Sequence, residues 1–362
     1  MKIEDFDYQL PAERVAQWPL AQRDASRMMV LGRETGMWDD REFRELPELL
    51  HGDELVVLNN ARVIPARLFG RRKGIRAEPL GRHNPARREF LKTKVEVLLL
   101  RQIAPDVWEA LVRPGRKLPR GERIVFGEGE LEARVESRGD FGLRVLRLES
   151  RDGLHEVLGK LGHIPLPPYI KRGDEALDRE RYQTVYARQG SAVAAPTAGL
   201  HFTPEILRAL RARGIEIVEI TLEVGLGTFE PVRTENLEAH KIHAEVYEIA
   251  EDAATAIARA RRGRRPVLAV GTTVVRALED AAETSGESNA IASGRREANI
   301  FLYPGKPFRV VDQLLTNFHL PRSTLLALVA GFAGRARILA AYRHAVDAGY
   351  RFYSYGDCML IR

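Results

Sequence analysis

Cysteine is nearly absent from this chain, and long apolar runs are missing. The 362 residues include one cysteine, Cys358, which excludes an internal disulfide and any metal site built from several thiolates. No run approaches the roughly 18 apolar residues that a membrane-spanning helix needs. The opening residues, MKIED, are partly acidic and lack the apolar core of a secretion signal. We therefore expect a soluble, cytoplasmic protein.

Two widespread catalytic motifs are also missing. The chain contains neither the Gly-x-Ser-x-Gly turn of serine hydrolases nor the GxxxxGK[ST] loop that holds nucleotide phosphates. Acyl-serine chemistry and P-loop chemistry are therefore disfavoured. With 44% apolar residues, the chain is long enough to form two domains with buried cores.

Positive charge is concentrated in one stretch. The net charge is +6, but residues 64–94 hold ten basic side chains against Glu78 and Glu89, which leaves the rest of the chain near −2. Such a block predicts a polyanionic partner. The alternative is a solvated basic loop that binds nothing.

Short strands separated by glycine turns occupy residues 63–149. Candidate strands lie at 95–98, 107–112, 123–126, 131–135 and 143–148. Their close spacing, without helical periodicity, predicts an antiparallel barrel or sandwich. The predicted fold class is α/β with mixed sheets. We expect residues 1–62 and 150–362 to form a discontinuous α/β catalytic domain. An antiparallel β-barrel domain is inserted in it at 63–149, with a basic loop at 71–94.

The stretch APTAGLHFTP, residues 195–204, joins a turn to a helix. Thr203 is the predicted N-cap and Pro204 the first helical residue. His201 then lies just before a helix N-terminus, where backbone N–H groups favour anions. The alternative is that His201 is a packed, hydrogen-bonded loop residue.

Other turns place polar residues at predicted strand ends. Asn60 and Arg62 follow an apolar strand, a common position for ligand contacts in α/β proteins. Residues 266–279 predict a strand, a tight turn and a helix, with Thr272 and Thr273 in the turn.

Two glycine-rich stretches flank that unit. Gly227 lies in GLGTF, where glycine allows close backbone approach to a ligand, although a single G-x-G is weak evidence. Residues 283–297 are rich in Ser and Gly and predict a flexible loop.

Histidines are the candidates for proton transfer at neutral pH. The segment HKIHAE holds His240 and His243, but residues three apart on a strand face opposite sides, so we expect no metal site there. A single histidine acting in a pocket is the other interpretation. His163, His201, His243 and His319 each lie in a loop-like motif, and the sequence does not rank them.

The motifs taken together resemble one enzyme family from the N-terminus to near the C-terminus. That family is S-adenosylmethionine:tRNA ribosyltransferase-isomerase, of the queuosine pathway. The motifs that carry the resemblance, in chain order, are DFDYQLP (5–11), NNARVIPARL (59–68), GHIPLPPYI (162–170), RYQTVYA (181–187), PTAGLHFT (196–203), EVGLGTFEPV (223–232), HKIHAE (240–245), VGTTVVRALE (270–279) and TNFHLPRSTLLALVAGF (316–332).

The resemblance implies that S-adenosylmethionine is a substrate, used as a ribosyl donor. The acceptor would be the aminomethyl group of 7-aminomethyl-7-deazaguanine at the tRNA wobble position, and the products epoxyqueuosine-tRNA, adenine and methionine. No metal or redox cofactor is implied, and a monomer is the family-like expectation. The basic β module would hold the anticodon arm through its phosphates.

The family does not assign the base that removes the ribose C5′ proton. Our hypothesis is that His201 or His243 is this base, with His319 near adenine or the acceptor amine. Arg322 is a candidate for the methionine carboxylate or a tRNA phosphate, and a plain salt bridge is the alternative.

The remaining candidates are substrate-binding positions at turns and helix starts. They are Thr197, Gly199, Gly227, Thr272 and Thr273, with Asn60 and Arg62 as weaker ones.

Two other functions remain open at this point. An S-adenosylmethionine-dependent RNA methyltransferase would share both substrates and leave S-adenosylhomocysteine. A non-catalytic RNA-binding protein would use the basic module alone, and it leaves the many His-, Thr- and Gly-bearing turns elsewhere unexplained.

Overall fold

The computed structural model describes residues 1–74, 94–223, 236–240, 242, 244–286 and 289–362. Its strands are β1 (Arg27–Leu31), β2 (Trp38–Glu42), β3 (Leu55–Asn59), β4 (Ala61–Val63), β5 (Arg67–Arg72), β6 (Lys94–Ala104), β7 (Val107–Arg113), β8 (Arg123–Phe126), β9 (Leu131–Arg138), β10 (Leu143–Ser150), β11 (Gln189–Ala192), β12 (Glu216–Glu223), β13 (Glu245–Ile249), β14 (Val267–Val270), β15 (Gly294–Ala298), β16 (Gln313–Asn317) and β17 (Cys358–Ile361). Its α-helices are α1 (Leu46–Leu49), α2 (Leu154–Leu161), α3 (Ala176–Arg181), α4 (Pro204–Ala212), α5 (Glu251–Arg262), α6 (Thr272–Ser285), α7 (Thr324–Ala333) and α8 (Arg335–Asp347).

Nine strands of the described residues form one mixed sheet, in the order β15-β13-β12-β3-β14-β16-β17-β1-β2. Within it β12, β3, β14 and β16 run parallel to one another. Along β3, Leu55 and Val57 pack against α5–α8, whereas Val56 and Leu58 pack against α1 and α4 on the other face. Because both faces are covered by helices, this strand is an unbroken apolar run.

The sheet joins distant parts of the chain. β17 lies between β16, to which it is antiparallel, and β1, to which it is parallel. In this register Met28 pairs with Cys358, and both side chains are fully buried. The charged strand β2 then forms one edge of the sheet.

The middle of the chain forms a closed antiparallel barrel, in the order β10-β7-β6-β5-β8-β9. Alternate residues of each strand point inward, as Val95, Val97 and Leu99 do on β6. Helix α2 packs on this core through Val157 and Leu158. The predicted fold class, an α/β part with an inserted β-barrel, is confirmed. The domain boundaries at residues 63 and 149 stay a prediction.

Two sequence predictions about loops need correction. The flexible loop expected at 283–297 is wrong at both ends, since α6 runs to Ser285 and β15 begins at Gly294. The basic loop expected at 71–94 is wrong at its ends as well, because Arg71 and Arg72 pair with β8 and Lys94 opens β6. Residues 75–93 lie outside the described part of the chain.

The described helices are short or carry charged residues. Within the described ranges no single helix is long and apolar enough to span a bilayer; α7 and α8 reach those limits only as a pair, across a bend of 115°.

Candidate active site

The candidate site lies at the carboxyl ends of the parallel strands. The chain passes from β3 to β12 on one side and then returns to β14 and β16 on the other. The connections therefore diverge between β3 and β14, and open α/β sheets bind ligands in the crevice outside such a switch point. A cleft enclosing about 680 Å³, its open mouth included, is found at the ends of β14 and β16.

Helix α6 begins at the floor of this cleft. Gly271 has φ +98°, a left-handed conformation that favours glycine, and it turns the chain from β14 directly into the helix. The N-cap residue Gly271 has no side chain to cap this end; its carbonyl accepts from the Val275 N–H, one turn into the helix. The N–H groups of Thr272 and Thr273 come before that first intrahelical bond and create a positive end.

The residues at the end of β16 and just after it, Thr316 to Leu320, also line the cleft. His319 Nε2 lies 2.8 Å from Thr316 Oγ1. Its backbone is held by two tyrosines: Tyr8 Oη donates to the carbonyl at 2.5 Å, and Tyr342 Oη accepts from the N–H at 3.1 Å. Burial lowers the pKa of His319 to about 3, because the imidazolium would lose its hydration. The imidazole is therefore neutral at physiological pH.

Four of the predicted residues meet in this cleft. They are Thr197, Thr272, Thr273 and His319. Thr272 and Thr273 are buried, and Thr197 is half-buried at the start of the turn that leads to α4.

His201 lies directly behind the cleft. Its Nδ1 is 2.8 Å from Ser26 Oγ, and Ser26 itself donates to the Arg23 carbonyl, so Nδ1 carries the proton. Its Nε2 accepts from Asn317 Nδ2 at 3.2 Å. Burial, with Arg23 and Arg351 adding to it, lowers the pKa of His201 to about 3. Both ring nitrogens are thus engaged by protein groups.

The packing around Gly199 explains the glycine at this position. A Cβ added there would lie 2.0 Å from Tyr186 Oη. Gly199 is buried and allows this tyrosine to pack against the turn, and it does not line the cleft.

Three predicted binding residues lie elsewhere. Asn60 is bonded to Glu219 and Thr221 on β12, and Arg62 is exposed on β4. The Arg322 Nε donates to Asp7 Oδ2 at 2.8 Å on an exposed surface, which matches the salt-bridge alternative.

Two further predicted residues, Gly227 and His243, lie outside the described residues. His240 stacks edge-on against Phe301, with ring centroids 5.9 Å apart. The described ranges contain no group of three or more His, Cys, Asp or Glu side chains placed to hold a metal ion.

Several residues of the cleft are not among the residues predicted from sequence. Tyr169, Asn317, Tyr353 and Ser354 line it as well. Asn317 and Tyr169 belong to quoted motifs, TNFHLP and LPPYI, so their motif context was a usable signal. Tyr353 and Ser354 come from an aromatic tail without such a signal. Tyr353 has φ +71°, strained for a tyrosine, and such backbone strain clusters at functional sites.

Comparisons with known proteins agree with the motifs. The family model described as "Queuosine biosynthesis protein" matches residues 3–361. The S-adenosylmethionine:tRNA ribosyltransferase-isomerases of Solibacter usitatus and Moorella thermoacetica are 55% and 51% identical to this chain, with 100% of each chain covered. A crystal structure of S-adenosylmethionine tRNA ribosyltransferase from Thermotoga maritima matches with a TM-score of 0.53 and 35% identity, covering 99% of this chain and 100% of that one.

The resemblance carried by the nine motifs is therefore confirmed over the whole chain. The chain belongs to the queuosine biosynthesis protein family and is one of its S-adenosylmethionine:tRNA ribosyltransferase-isomerases, a transferase-isomerase enzyme.

Proposed function

We propose that this enzyme transfers and isomerises the ribosyl group of S-adenosylmethionine onto the aminomethyl group of 7-aminomethyl-7-deazaguanine at the tRNA wobble position. Epoxyqueuosine-tRNA forms, and adenine and methionine leave. The observation that supports the proposal is that a neutral imidazole, His319, and the start of α6 line the same cleft. The enzyme names of the two relatives that are 55% and 51% identical to this chain support it.

The start of α6 suits an anionic group. Thr272 and Thr273, the first two residues of α6, line the cleft, and the N-cap residue Gly271 has no side chain to cap their N–H groups. A carboxylate gains both hydrogen bonds and the favourable end of the helix dipole there. We assign this position to the carboxylate of the methionine part of the substrate.

His319 is our candidate for the base that takes the ribose C5′ proton. The Thr316 hydroxyl donates its hydrogen to the Asn317 carbonyl, at 3.3 Å. Thr316 Oγ1 must therefore accept from His319 Nε2, so Nε2 carries the imidazole proton and Nδ1 is unprotonated. Nδ1 makes no hydrogen bond with the described residues. The adjacent sulfonium acidifies C5′–H, which reduces the basicity that the imidazole must supply.

His201 then becomes a positioning residue. Its Nε2 accepts from the side chain of Asn317, and Asn317 lines the same cleft as His319. His243 remains a candidate from the sequence, outside the described residues. We further propose that the basic stretch 71–94 contacts the anticodon arm, and that the enzyme is a cytoplasmic monomer without a metal cofactor.

One assay separates the alternatives. The purified enzyme is incubated with S-adenosylmethionine and tRNA bearing the aminomethyl-deazaguanine base, and the products are resolved by chromatography and mass spectrometry. We expect free adenine, free methionine and a heavier tRNA. S-adenosylhomocysteine would identify a methyltransferase, and tRNA binding without turnover of the sulfonium would identify a binding protein.

A further inference from the structure

Three arginines lie near His201 and the small cavity beside it, behind the candidate active site. Arg23 precedes β1, Arg181 ends α3, and Arg351 follows α8. Arg23 and Arg181 line a small second cavity together with Ser26 and His201. Arg351 and Arg23 are both close enough to His201 to lower its pKa.

These guanidinium groups have neutral partners only. Arg23 donates to the carbonyls of Leu200 and Glu180 at 3.2 and 2.8 Å, and Arg181 donates to the Ala21 carbonyl at 2.9 Å. Arg351 donates to the Trp18 carbonyl. Among the described residues no carboxylate oxygen forms an ion pair with any of the three; the nearby Asp357 binds the backbone N–H of Arg351 instead.

Two of their donors are buried and unsatisfied. Arg181 Nε and Arg351 Nη1 have no hydrogen-bond partner among the described residues. Burial and the neighbouring Arg181 lower the pKa of Arg23, and the nearby Glu180 offsets them only in part. Buried hydrogen-bond donors in native proteins are almost always paired. A cluster of positive charges with two unsatisfied N–H groups is therefore expected to bind an anion.

Arginine forks match the oxygens of phosphate groups, to which they donate in pairs. The cavity adjoins the active-site cleft, because Ser354 lines both. His201 also connects them, since it contacts Ser26 on one side and Asn317 on the other. An anion held here would be a close neighbour of a substrate in the cleft.

We propose that Arg23, Arg181 and Arg351 bind a backbone phosphate of the tRNA, next to the nucleotide whose base enters the cleft. This inference rests on the proposed function for the identity of the RNA. The arginines would fix the RNA strand relative to the reacting base, independently of the basic stretch at 71–94. Phosphate contacts of this kind set register without reading sequence.

The test compares Arg181→Gln and Arg351→Gln with Arg343→Gln. Arg343 is exposed on α8 and makes no ion pair with the described residues, so its replacement removes the same charge elsewhere. Affinity for tRNA bearing the aminomethyl base is measured over a series of salt concentrations, beside the KM for S-adenosylmethionine. We expect each cluster variant to bind tRNA about ten-fold more weakly or worse. The slope of log affinity against log salt should become shallower by about 0.7 when one phosphate is no longer bound.

The control variant should match the wild type in affinity and slope, and the KM for S-adenosylmethionine should stay unchanged in all three. Cluster variants that behave like Arg343→Gln would overturn the proposal. So would a raised KM for S-adenosylmethionine with unchanged tRNA affinity, which would assign the arginines to the substrate carboxylate. The tRNA-binding measurements do not require turnover. They therefore test the arginine site even if no adenine is released, whereas adenine release alone tests the proposed function.

If a variant does not unfold cooperatively, and so is not folded, a competition experiment on the wild type is used instead. Inorganic phosphate and chloride are compared as competitors of tRNA at equal ionic strength. Stronger competition by phosphate, abolished in Arg181→Lys, supports the site, and equal competition by the two anions contradicts it.

Discussion

His201 and His319 are both buried histidines, but the fold engages their ring nitrogens differently. Both are neutral, because burial removes the hydration that the charged form needs. His201 has protein partners on both nitrogens, whereas His319 has one on Nε2. The sequence could identify both as candidates but not rank them, because the ranking depends on which nitrogens the fold leaves available.

Replacing His319 with glutamine should lower the rate of adenine release by about 10²–10⁴-fold, the usual loss when a positioned base is removed. Glutamine retains a group that can bond to Thr316, so binding of S-adenosylmethionine should persist. Single-turnover kinetics with saturating tRNA measure the chemical step, and calorimetry measures binding. An unchanged single-turnover rate would remove His319 as the base.

Stability should fall with acid because of His201. Its pKa is about 3 in the folded protein and about 6.5 in the unfolded chain. Between these two values the unfolded chain binds a proton at His201 and the folded protein does not. The stabilising contribution is complete above pH 6.5 and is lost as the pH falls toward 3, by at most about 1.4 kcal/mol per pH unit. His201→Asn should flatten this dependence in urea unfolding at pH 7, 6 and 5. Equal slopes for the two proteins would contradict the assignment.

Gly199 and Gly159 offer a matched pair of glycine substitutions. Gly199→Ala would bring a methyl group to 2.0 Å from Tyr186 Oη, and we expect a loss of about 1–3 kcal/mol in the free energy of unfolding. Gly159 lies inside α2 with no atom within 4 Å of an added Cβ. Gly159→Ala should therefore stabilise the protein by about 0.5–1 kcal/mol. Chemical denaturation measures both, and similar effects would argue against the packing described for Tyr186.

At the scale of elements, strands that are buried on both faces were predictable and charged edge strands were not. β3 and β14 are apolar runs that any periodicity analysis finds. β2 (WDDRE) and β15 (GRREA) lie at the two edges of the sheet, where side chains face water and carry no apolar pattern. Only the pairing with a neighbour makes these segments strands.

The same limit applies to the candidate site. The sequence could indicate turns at the starts of helices, and Thr272 and Thr273 are found at one. It could not indicate which turns converge, because the turn that starts at Thr197 packs against β16, and His319 follows that same strand, only in the folded protein. Asn60, also at a strand end, instead bonds to the neighbouring strand.

The N-cap of α4 was predicted from sequence and gives a test at this scale. Thr203 Oγ1 accepts from the Ile206 N–H at 3.2 Å. Thr203→Ala should lower the free energy of unfolding by about 1 kcal/mol. Thr284→Ala, in the exposed last turn of α6, should change it by less than about 0.5 kcal/mol. Denaturant titration compares the two, and a loss at Thr203 no larger than that at Thr284 would mean that the cap is not stabilising.

At the scale of the whole molecule, charge and chemistry are placed on different parts of the chain. The cleft and the arginine cluster belong to the α/β part, whereas the basic stretch connects two strands of the barrel. Such a division predicts that tRNA affinity and S-adenosylmethionine affinity can be changed separately.

Neutralising the arginines and lysines of residues 75–93 tests this separation. We expect weaker tRNA binding with a shallower salt dependence, the slope falling by about 0.7–0.9 for each phosphate that the protein no longer neutralises. Binding of S-adenosylmethionine should stay the same, because the cleft draws no residue from the barrel. Fluorescence anisotropy with labelled tRNA measures the first quantity and calorimetry the second. If neither changes, the stretch is a solvated loop without a partner.

The position of β17 has a consequence for synthesis of the protein on the ribosome. β1 and β2 reach the rest of the sheet only through residues 358–361. The barrel can fold from local hairpins as it emerges, but the early β1–β2 hairpin must wait with one open edge until those late residues appear. Nascent chains therefore pass through a stage in which the apolar strand β1 has one unpaired edge, which chaperones would shield from aggregation.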